Sequence, residues 1–361
     1  MEAQSNTEMQ LTSEEVISPT TSNPWRTVLS TVLRVALLAI AFLILRRELN
    51  GVSLDDLFAS VRDYGLQRVT LGLAFTIGSY LTLGVFELLA LRYVGKRAER
   101  IIPRRTAIAT AFVANAYSQS VGLAILTGAA VRIRSYSRYG LDALDVARLS
   151  VFVTVTATLG LLTTGGLAFF ATAGRMTIMN MTVYLTPFAL LLLLPVVGYV
   201  AWGAFGQSEF HGRGKWRIRR PSLRMALEQI GVSSLDWLLA GTVLFFLLPR
   251  SLGVSYAGCL AVYLIAQTAA VLSHVPGGVG VFEAIVISLL SVDAHSMTSP
   301  SLASLVASLL VYRVIYYLLP LIAAVALSAI AELLRSRKQL VSLDLAANGL
   351  SQASLTAADA S

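Results

Sequence analysis

Long apolar runs separated by short basic loops constrain this chain more than any other feature of its sequence. Apolar residues dominate the segments 28–45, 69–91, 106–126, 149–172, 181–205, 232–248, 254–272, 275–291 and 301–334. Several of these runs approach the roughly 20 residues that an α-helix needs to cross the hydrocarbon core of a bilayer. Charged residues make up only 13% of the chain, against roughly 25% in soluble domains. The sequence therefore predicts an all-α, polytopic integral membrane protein.

The two ends of the chain differ from this apolar part. Residues 1–27 are polar and contain four glutamates and one arginine, and the last residues, from Val341, are small and polar. Such composition is typical of disordered segments. The first apolar run follows an acidic segment, which disfavours a cleaved signal peptide. We predict cytosolic tails at 1–27 and 335–361 around a transmembrane domain at 28–334, with no soluble catalytic domain at either end.

The basic residues predict how the runs are arranged across the membrane. The net charge of +8 comes from short blocks between apolar runs, which is the pattern of cytosolic loops and not of a nucleic-acid-binding surface. If every run crosses the membrane, the orientation with more basic residues in the cytosol places 17 of them on the cytosolic side and nine on the outer side. If 106–126 enters and returns on one side, 20 lie inside and six outside. We therefore predict an inner-membrane protein with about six full crossings, although Arg46 and Arg47 then lie outside, against the trend.

The segment 106–126 has the composition of a re-entrant hairpin. Its centre contains Asn115, Ser118 and Gln119, followed by Gly122. A helix with a polar, glycine-containing centre can break inside the membrane where protein or a water-filled cavity surrounds the turn. The alternative is a single crossing helix whose small and hydroxyl residues face a packed neighbour.

A second break lies at "SHVPGGVGVFEA", residues 273–284, between the apolar runs 254–272 and 275–291. Proline and two glycines end a helix there, which predicts a second re-entrant hairpin that enters from the outer side. Two hairpins entering from opposite faces form an inverted-repeat arrangement. Transporters of this type place their substrate near the bilayer midplane, where the repeats meet.

The second break also predicts a binding site for an anion. A half-helix starting near Gly278 would present unpaired N–H groups and the positive end of its dipole, which suit a phosphate. Gly277 and Gly280 would let a headgroup approach the backbone, and Pro276 would fix the turn. The alternative is that these residues only let neighbouring helices pack.

Charged residues inside the apolar runs are the remaining candidates. A carboxylate such as Glu283 is costly in a membrane unless it is paired or functional. We expect it to couple protonation to transport, or to pair with Arg132 or Arg313, and the inverted repeat would bring Arg132 and Glu283 to one cavity. Arg132 could clamp a phosphate, and a purely structural ion pair is the alternative.

Glu87 is expected to reach the cytosolic interface, whereas Asp236 is either interfacial or cavity-facing.

Three motifs, "NAYSQSVGLAILTGAAVRIRSYSRYGL", "SHVPGGVGVFEA" and "YRVIYYLLP", resemble the membrane domain of the bacterial lysylphosphatidylglycerol synthase/flippase family. The resemblance runs from about residue 30 to 334 and is that of a stand-alone YbhN-like member. The matching positions are Asn115, Ser118, Gly122, Gly128, Arg132, Tyr136, Gly140, Ser273, Pro276, Gly277, Gly278, Gly280, Glu283, Arg313, Tyr317 and Pro320.

This resemblance implies a flippase-like role without the family's synthase activity. We expect the partner to be a membrane lipid with an anionic or polyprenyl-phosphate headgroup, bound by Asn115, Ser118, Gly122, Arg132, Ser273, Pro276, Gly277, Gly278, Gly280, Glu283 and Arg313. No cofactor or metal is expected, because the chain has one cysteine and three scattered histidines. Alternatives are an intramembrane lipid-modifying enzyme that uses His274 and Glu283, and an accessory subunit whose hairpins only pack. Whether the chain forms a homo-oligomer stays open.

Overall fold

The structure is a computed structural model. It describes residues 54–121, 124–172, 174–178, 181–206, 209–211, 217–290 and 299–334. The predicted tails at 1–27 and 335–361, the first apolar run at 28–45 and the predicted site residue Gly122 lie outside these ranges.

The described residues are almost entirely helical, which confirms the all-α prediction. In chain order the helices are α1 (Leu54–Val94), α2 (Lys96–Ile101), α3 (Arg104–Val121), α4 (Ala124–Tyr136), α5 (Ala143–Ala171), α6 (Thr186–Phe205), α7 (Leu223–Leu247), α8 (Tyr256–Leu272), α9 (Val281–Leu290) and α10 (Ser299–Arg313). A π-helical turn at Val314–Leu318 and helical residues 319–334 continue α10, and we call this whole element the last helix. Short 3₁₀ turns lie at Ser137–Tyr139, Arg250–Leu252 and Pro276–Gly278.

Two small antiparallel hairpins interrupt the helices. Strand β1 (Arg175–Ile178) pairs with β2 (Met181–Tyr184), and β3 (Glu209–His211) pairs with β4 (Arg217–Arg219). The predicted apolar run at 181–205 therefore begins as a strand and becomes helical only at Thr186. A left-handed Gly174 precedes β1, and its backbone carbonyl accepts from Leu185 N–H, which closes the hairpin before α6 starts.

Within the described ranges, five helices are long and apolar enough to cross a membrane. They cover Gln67–Val94, Ala143–Ala171, Thr186–Phe205, Leu223–Leu247 and Ser304–Leu334, with mean hydropathies from 1.7 to 2.3. They overlap five of the six segments predicted to cross, and the sixth, 28–45, lies outside the described residues. Two of these helices start at side-chain caps: Asp142 accepts from the N–H of Asp145, and the hydroxyl of Ser222 accepts from the N–H of Met225.

The predicted break near Gly122 separates two helices that pack against each other, and we call α3 and α4 the first hairpin. Its two ends meet, because the hydroxyls of Thr106 and Tyr139 lie 3.3 Å apart. The boundaries differ from the prediction. The polar centre at 115–120 is continuous helix, and the returning arm includes residues 124–136, most of which were predicted as a cytosolic loop. That arm stays helical and packed because Arg132 finds a buried partner on α1, as described below.

The second hairpin consists of α8 and α9, which pack against each other on either side of the Pro276–Gly278 turn. With 10 residues, α9 has a length of about 15 Å, which is half of a roughly 30 Å hydrocarbon core. Its first aromatic residue, Phe282, is fully buried and stacks on Tyr312 of α10 with ring centroids 5.6 Å apart. The second hairpin is thus attached to the last helix.

Helices α5 and α7 approach each other closely. A methyl group on Gly160 would fall 2.5 Å from the backbone carbonyl carbon of Ser233. Small residues allow such close packing between membrane helices, where burial of apolar surface gives little driving force. Beside this contact, Gln229 donates to the hydroxyl of Thr156 at 2.7 Å, so the two helices also share a buried hydrogen bond.

Two salt bridges join helix ends. Arg92, in the last turn of α1, pairs with Glu228 near the start of α7. Arg134, in the last turn of α4, pairs with Glu332 near the end of the last helix at 2.7 Å. Both bridges are partly exposed, as expected of interfacial pairs.

Candidate functional site

A buried ion pair anchors the first hairpin to α1. Arg132 donates from Nε to both carboxylate oxygens of Glu87 at 3.0 Å and from Nη2 to Oε2 at 2.8 Å, and the hydroxyl of Tyr136 donates to Oε1 at 2.8 Å. Glu87 has no exposed surface and Arg132 is 5% exposed. The prediction that Glu87 reaches the interface is therefore wrong, because the arginine and tyrosine on α4 satisfy its carboxylate inside the protein.

Ser118 and Gly128 lie beside this pair. A methyl group on Gly128 would be 2.9 Å from Nη1 of Arg132 and 3.0 Å from the hydroxyl oxygen of Ser118. The two arms of the first hairpin thus meet through these residues. Asn115, one helical turn before Gln119, instead donates to the backbone carbonyl of Ala111 at 2.8 Å. Ser118 and Arg132 come together, whereas Asn115 turns to its own helix.

A second ion pair, between a buried arginine and a partly exposed glutamate, holds the second hairpin to the last helix. Arg313 donates from Nε to Oε1 of Glu283 at 2.6 Å. Its other nitrogens donate to two backbone carbonyls of the turn: Nη1 to Gly277, and Nη2 to Gly278 at 3.2 Å. The guanidinium also lies over the ring of Tyr317, 5.0 Å from its centre. One arginine therefore fixes both the turn and the carboxylate that follows it, and we call this set of contacts the Arg313 latch.

Glu283 caps the helix that it belongs to. Its Oε2 accepts from the N–H of Gly280 at 2.8 Å, three residues earlier, while Oε1 accepts from Arg313. This is the reach of a glutamate in the first turn back to the capping residue. The start of α9, which was predicted to seat a phosphate, thus already contains an anion, the carboxylate of Glu283.

The turn between α8 and α9 depends on positive φ angles. Gly277, Gly278 and Gly280 have φ between 62° and 79°, and His274 has φ 54°, a region that glycine enters without steric cost. Of these three glycines, only Gly280 has no atom within 4 Å of the position that a methyl group would occupy. A methyl group on Gly278 would lie 2.5 Å from Cβ of Ala270. Gly278 therefore packs against α8, whereas Gly280 is accessible.

The residues on either side of these glycines shape the turn. Ser273 donates to the carbonyl of Ala270 at 2.7 Å and accepts from Val275 N–H at 3.3 Å. His274 contacts the carbonyl of Leu272 through Nδ1 at 2.9 Å. Pro276 begins the 3₁₀ turn. Ser273, His274 and Pro276 are exposed, so this side of the turn lies on the protein surface.

The tips of the two hairpins meet. A methyl group on Gly277 would lie 3.9 Å from the backbone carbonyl oxygen of Gln119 and 3.7 Å from Nη1 of Arg313. The side-chain Oε1 of Gln119 is buried and has no hydrogen-bond partner among the described residues. An acceptor without a partner thus lies close to the contact between the hairpins.

Of the two arginines expected as possible partners of Glu283, Arg313 forms the pair and Arg132 does not. Arg132 pairs with Glu87 and Glu283 pairs with Arg313, so each hairpin has its own ion pair with a long helix. The carboxylate is on the long helix in the first pair and on the hairpin in the second. Sequence separation alone could not distinguish these pairings, because both arginines were suitable partners for Glu283.

A cavity of about 430 Å³ lies away from these residues. It is lined by Gln67, Arg68, Leu71, Phe245, Phe246, Leu248, Pro249, Arg250, Gly253 and Val254, where α1 passes the end of α7. None of the predicted site residues lines it.

Comparison with known proteins identifies the family. The uncharacterised protein slr0712 of Synechocystis is 30% identical over 296 residues, which are 81% of this chain and 88% of that protein. The inner membrane protein YbhN of Escherichia coli is 29% identical over 279 residues, 76% of this chain and 83% of YbhN. This chain belongs to the YbhN-like family. No protein-family model matches it.

The YbhN-like chain is also similar to part of a larger enzyme. Phosphatidylglycerol lysyltransferase of Staphylococcus aureus is 24% identical over 310 residues, which cover 84% of this chain but only 34% of the enzyme. This agrees with the resemblance to the membrane domain of that family. The similarity therefore connects this chain to an enzyme whose name includes the phospholipid phosphatidylglycerol.

Sequence reasoning missed part of the buried polar network. Ser79 and Thr82 on α1 both hydrogen-bond the carboxylate of Asp236, and neither was singled out. Glu87 lies in the apolar stretch "GVFELLALR". The rule that makes an intramembrane carboxylate a functional candidate applied to Glu87 as well as to Glu283, so this signal was present in the sequence.

Proposed function

We propose that this protein moves the headgroup of an anionic lipid across the bilayer, through the junction where the two hairpin tips meet. The observation that carries the proposal is the Arg313 latch, which places a guanidinium, a carboxylate and two glycine carbonyls at that junction. A buried arginine is suited to a phosphate, because its planar fork can donate two parallel hydrogen bonds.

The proposal includes a topology of about six crossings and two re-entrant hairpins, with both termini in the cytosol. The first hairpin starts and ends at the same place, since Thr106 contacts Tyr139. The Arg92–Glu228 and Arg134–Glu332 bridges connect the ends that carry the basic loops. These contacts support a common cytosolic side for residues 92–105, 137–142 and 206–222, as the basic residues require.

In this proposal Glu283 is a placeholder for the lipid phosphate. The carboxylate accepts from Arg313 and from Gly280 N–H, and a phosphate oxygen can accept from the same two donors. Gly280 is exposed and has open space beside it. The headgroup would displace Glu283, bind Arg313 and then be released when the carboxylate returns, so neither state leaves the guanidinium without an anion.

The orphan acceptor of the first hairpin supports a headgroup with hydroxyl donors. Oε1 of Gln119 is buried without a partner in the described part of the chain, and such an atom costs free energy until a donor reaches it. A glycerol hydroxyl next to a phosphate, as in phosphatidylglycerol, could supply that donor. We propose this lipid as the first substrate to test, and a polyprenyl phosphate as the second.

The geometry favours transport over the two alternatives. An enzyme would need His274 and Glu283 on one reacting atom, yet His274 contacts the Leu272 carbonyl and Glu283 contacts Arg313. An accessory subunit whose hairpins only pack would bury the turn. Instead Ser273, His274, Pro276 and Gly280 are exposed. These observations support a non-enzymatic role with an accessible tip.

The test is a lipid-translocation assay with the purified full chain in liposomes. Fluorescent phosphatidylglycerol or phosphatidylcholine is placed in both leaflets, and a membrane-impermeant reductant bleaches only the outer label. We expect the protein to expose the inner phosphatidylglycerol to the reductant and to leave most inner phosphatidylcholine protected. Equal bleaching in protein-free liposomes, or equal movement of both lipids, would contradict the proposal.

A further inference from the structure

Asp236 is a carboxylate in the middle of the membrane-spanning part. It lies near the centre of α7 (Leu223–Leu247) and is 8% exposed. Its Oδ1 is 2.6 Å from the hydroxyl oxygen of Ser79 and 2.9 Å from that of Thr82, both near the centre of α1. No ion pair of Asp236 exists among the described residues. A charged carboxylate in this position has a high free energy, so a functional role is the first interpretation to consider for Asp236.

The hydrogens around Asp236 fit the protonated form of this side chain. Thr82 has one hydroxyl proton, and its shorter contact is with the backbone carbonyl of Ser79 at 2.6 Å. If that proton is donated there, the Thr82 oxygen can only accept at its 2.9 Å contact with Asp236. A carboxylic acid O–H at Oδ1 supplies the missing donor, whereas an ionised carboxylate must compete with the Ser79 carbonyl for the single Thr82 proton.

A third hydroxyl completes this network from the last helix. Tyr316 lies 2.9 Å from the hydroxyl of Ser79, so the order Tyr316 to Ser79 to Asp236 gives each hydroxyl one acceptor. The other titratable groups that interact with the carboxylate are also tyrosines, Tyr80 on α1 and Tyr263 on α8. Tyrosine is neutral near pH 7, so no basic group in the described residues balances a charge on Asp236.

The network leads directly to the Arg313 latch. Tyr316 belongs to the π-helical turn Val314–Leu318, which starts immediately after Arg313. Single π-helical turns occur frequently at functional sites. The hydrogen bond between Ser79 and Tyr316 therefore involves the turn that follows Arg313, whose guanidinium binds the carbonyls of Gly277 and Gly278.

We propose that Asp236 is a proton-binding site, and that its protonation state is transmitted through Ser79 and Tyr316 to the Arg313 latch. Protonation forms one O–H bond at Oδ1 with a proton taken from water, and release returns that proton to water. The neutral state keeps Thr82, Ser79 and Tyr316 in the observed hydrogen bonds. The ionised state instead takes the Thr82 proton at Oδ1, away from the Ser79 carbonyl, and this changes the position of Ser79, its bond to Tyr316 and thereby the latch.

Infrared difference spectroscopy tests the proton site without any transport. The purified full chain is titrated with acid, and the carbonyl band of protonated carboxylic acids is recorded in H₂O and D₂O. We expect a band that is lost in Asp236→Asn and kept in Glu228→Gln, a variant on the same helix whose carboxylate is part of a surface salt bridge. A band that persists in Asp236→Asn, or one that Na⁺ replaces at constant pH, would overturn the proposal.

A second variant covers the case in which Asp236→Asn does not fold. Thr82→Val removes the acceptor of the acid proton and nearly preserves the side-chain shape, so the band should appear only at lower pH than in the unchanged protein. An unchanged titration would show that Thr82 does not accept that proton, which contradicts the proposed network.

The connection to the latch has its own measurement, and only this part rests on the proposed function. Leu272, next to the turn, is 70% exposed. The rate at which a thiol reagent labels Leu272→Cys, in a Cys259→Ala background, is divided by the rate for a free thiol at the same pH, because the thiolate fraction itself depends on pH. We expect this relative rate to change across the pH range in which the carboxylic acid band titrates. It should become constant in that range when Asp236→Asn is added. A rate that ignores this titration would refute the coupling and leave the proton site in place.

Discussion

At the scale of single residues, Arg132 and Arg313 carry the same charge but are held differently. The guanidinium of Arg132 faces a fully buried carboxylate, Glu87, which is also bonded to Tyr136. Arg313 divides its donors between a partly exposed carboxylate, Glu283, and the turn. Removing one partner of a buried pair costs about 3–5 kcal/mol. The first pair is therefore suited to a permanent anchor and the second to exchange.

The anchor gives a prediction for Gly128. A methyl group there would lie 2.9 Å from Nη1 of Arg132, and the arginine cannot move away without weakening its bonds to Glu87. We expect Gly128→Ala to lower the free energy of unfolding by about 1–3 kcal/mol, as overpacking does. Thermal unfolding in detergent measures this effect. Gly231→Ala is the matched control because nothing lies within 4 Å of that position, and equal stability of both variants would contradict the packing described here.

At the scale of helices, the breaks distinguish the hairpins from the spanning helices. The second hairpin was predictable because proline and positive-φ glycines occur together in "SHVPGGVGVFEA". The first hairpin was predictable from its charge balance and polar centre, but its turn lies at the end of that centre. The extent of its returning arm, residues 124–136, depends on a long-range pair between Arg132 and Glu87, which no local pattern contains.

The first hairpin gives a topological prediction. If it is re-entrant, residues 92–105 and 137–142 face the cytosol, while the 3₁₀ turn at Arg250–Leu252 faces outwards. Cysteines at Glu99, Ser137 and Ser251, which are exposed positions, are introduced singly in a Cys259→Ala background. In intact cells an impermeant thiol reagent should label only Ser251→Cys, and permeabilisation should expose the other two. Labelling of Ser137→Cys from outside would mean that the segment crosses the membrane.

The contact between α5 and α7 gives a prediction about helix packing. Alanine at Gly160 would place its methyl group 2.5 Å from the Ser233 backbone, so the helices must separate. We expect Gly160→Ala to lower the free energy of unfolding by at least about 1–3 kcal/mol, measured by thermal unfolding. Gly198→Ala on α6, where nothing lies within 4 Å, should leave it nearly unchanged. Similar melting temperatures for the two variants would argue against this close packing.

At the scale of the whole molecule, composition and charge predicted the fold class, whereas the pairing of the charges came from the structure. Apolar runs and basic loops are properties of segments, so they can be read locally. The partners of Glu283, Glu87 and Asp236 depend on which helix faces which, and several assignments satisfy the same sequence. The structure selects Arg313 for Glu283 and Arg132 for Glu87, and it places hydroxyls of Ser79 and Thr82 against Asp236.

The same structure connects the proposed proton site to the proposed lipid site. Asp236 on α7, Ser79 on α1 and Tyr316 on the last helix form one hydrogen-bonded chain, and Arg313 precedes the π-helical turn that contains Tyr316. The two proposals thus assign the lipid to the hairpin junction and the proton to α1, α7 and the last helix. The two sites share one helix.

The most direct test of the central claim is phosphatidylglycerol translocation by Glu283→Gln in liposomes. Glutamine has one acceptor oxygen, so it can accept from Arg313 or from Gly280 N–H but not from both as the carboxylate does. The variant therefore removes the placeholder charge and retains one of its two hydrogen bonds. We expect translocation about tenfold slower, equivalent to about 1.4 kcal/mol in the rate-limiting step, together with tighter retention of phosphatidylglycerol. Glu228→Gln, which removes a carboxylate from a surface bridge, should match the unchanged protein. Translocation by Glu283→Gln at the unchanged rate, or equal slowing in both variants, would contradict the account.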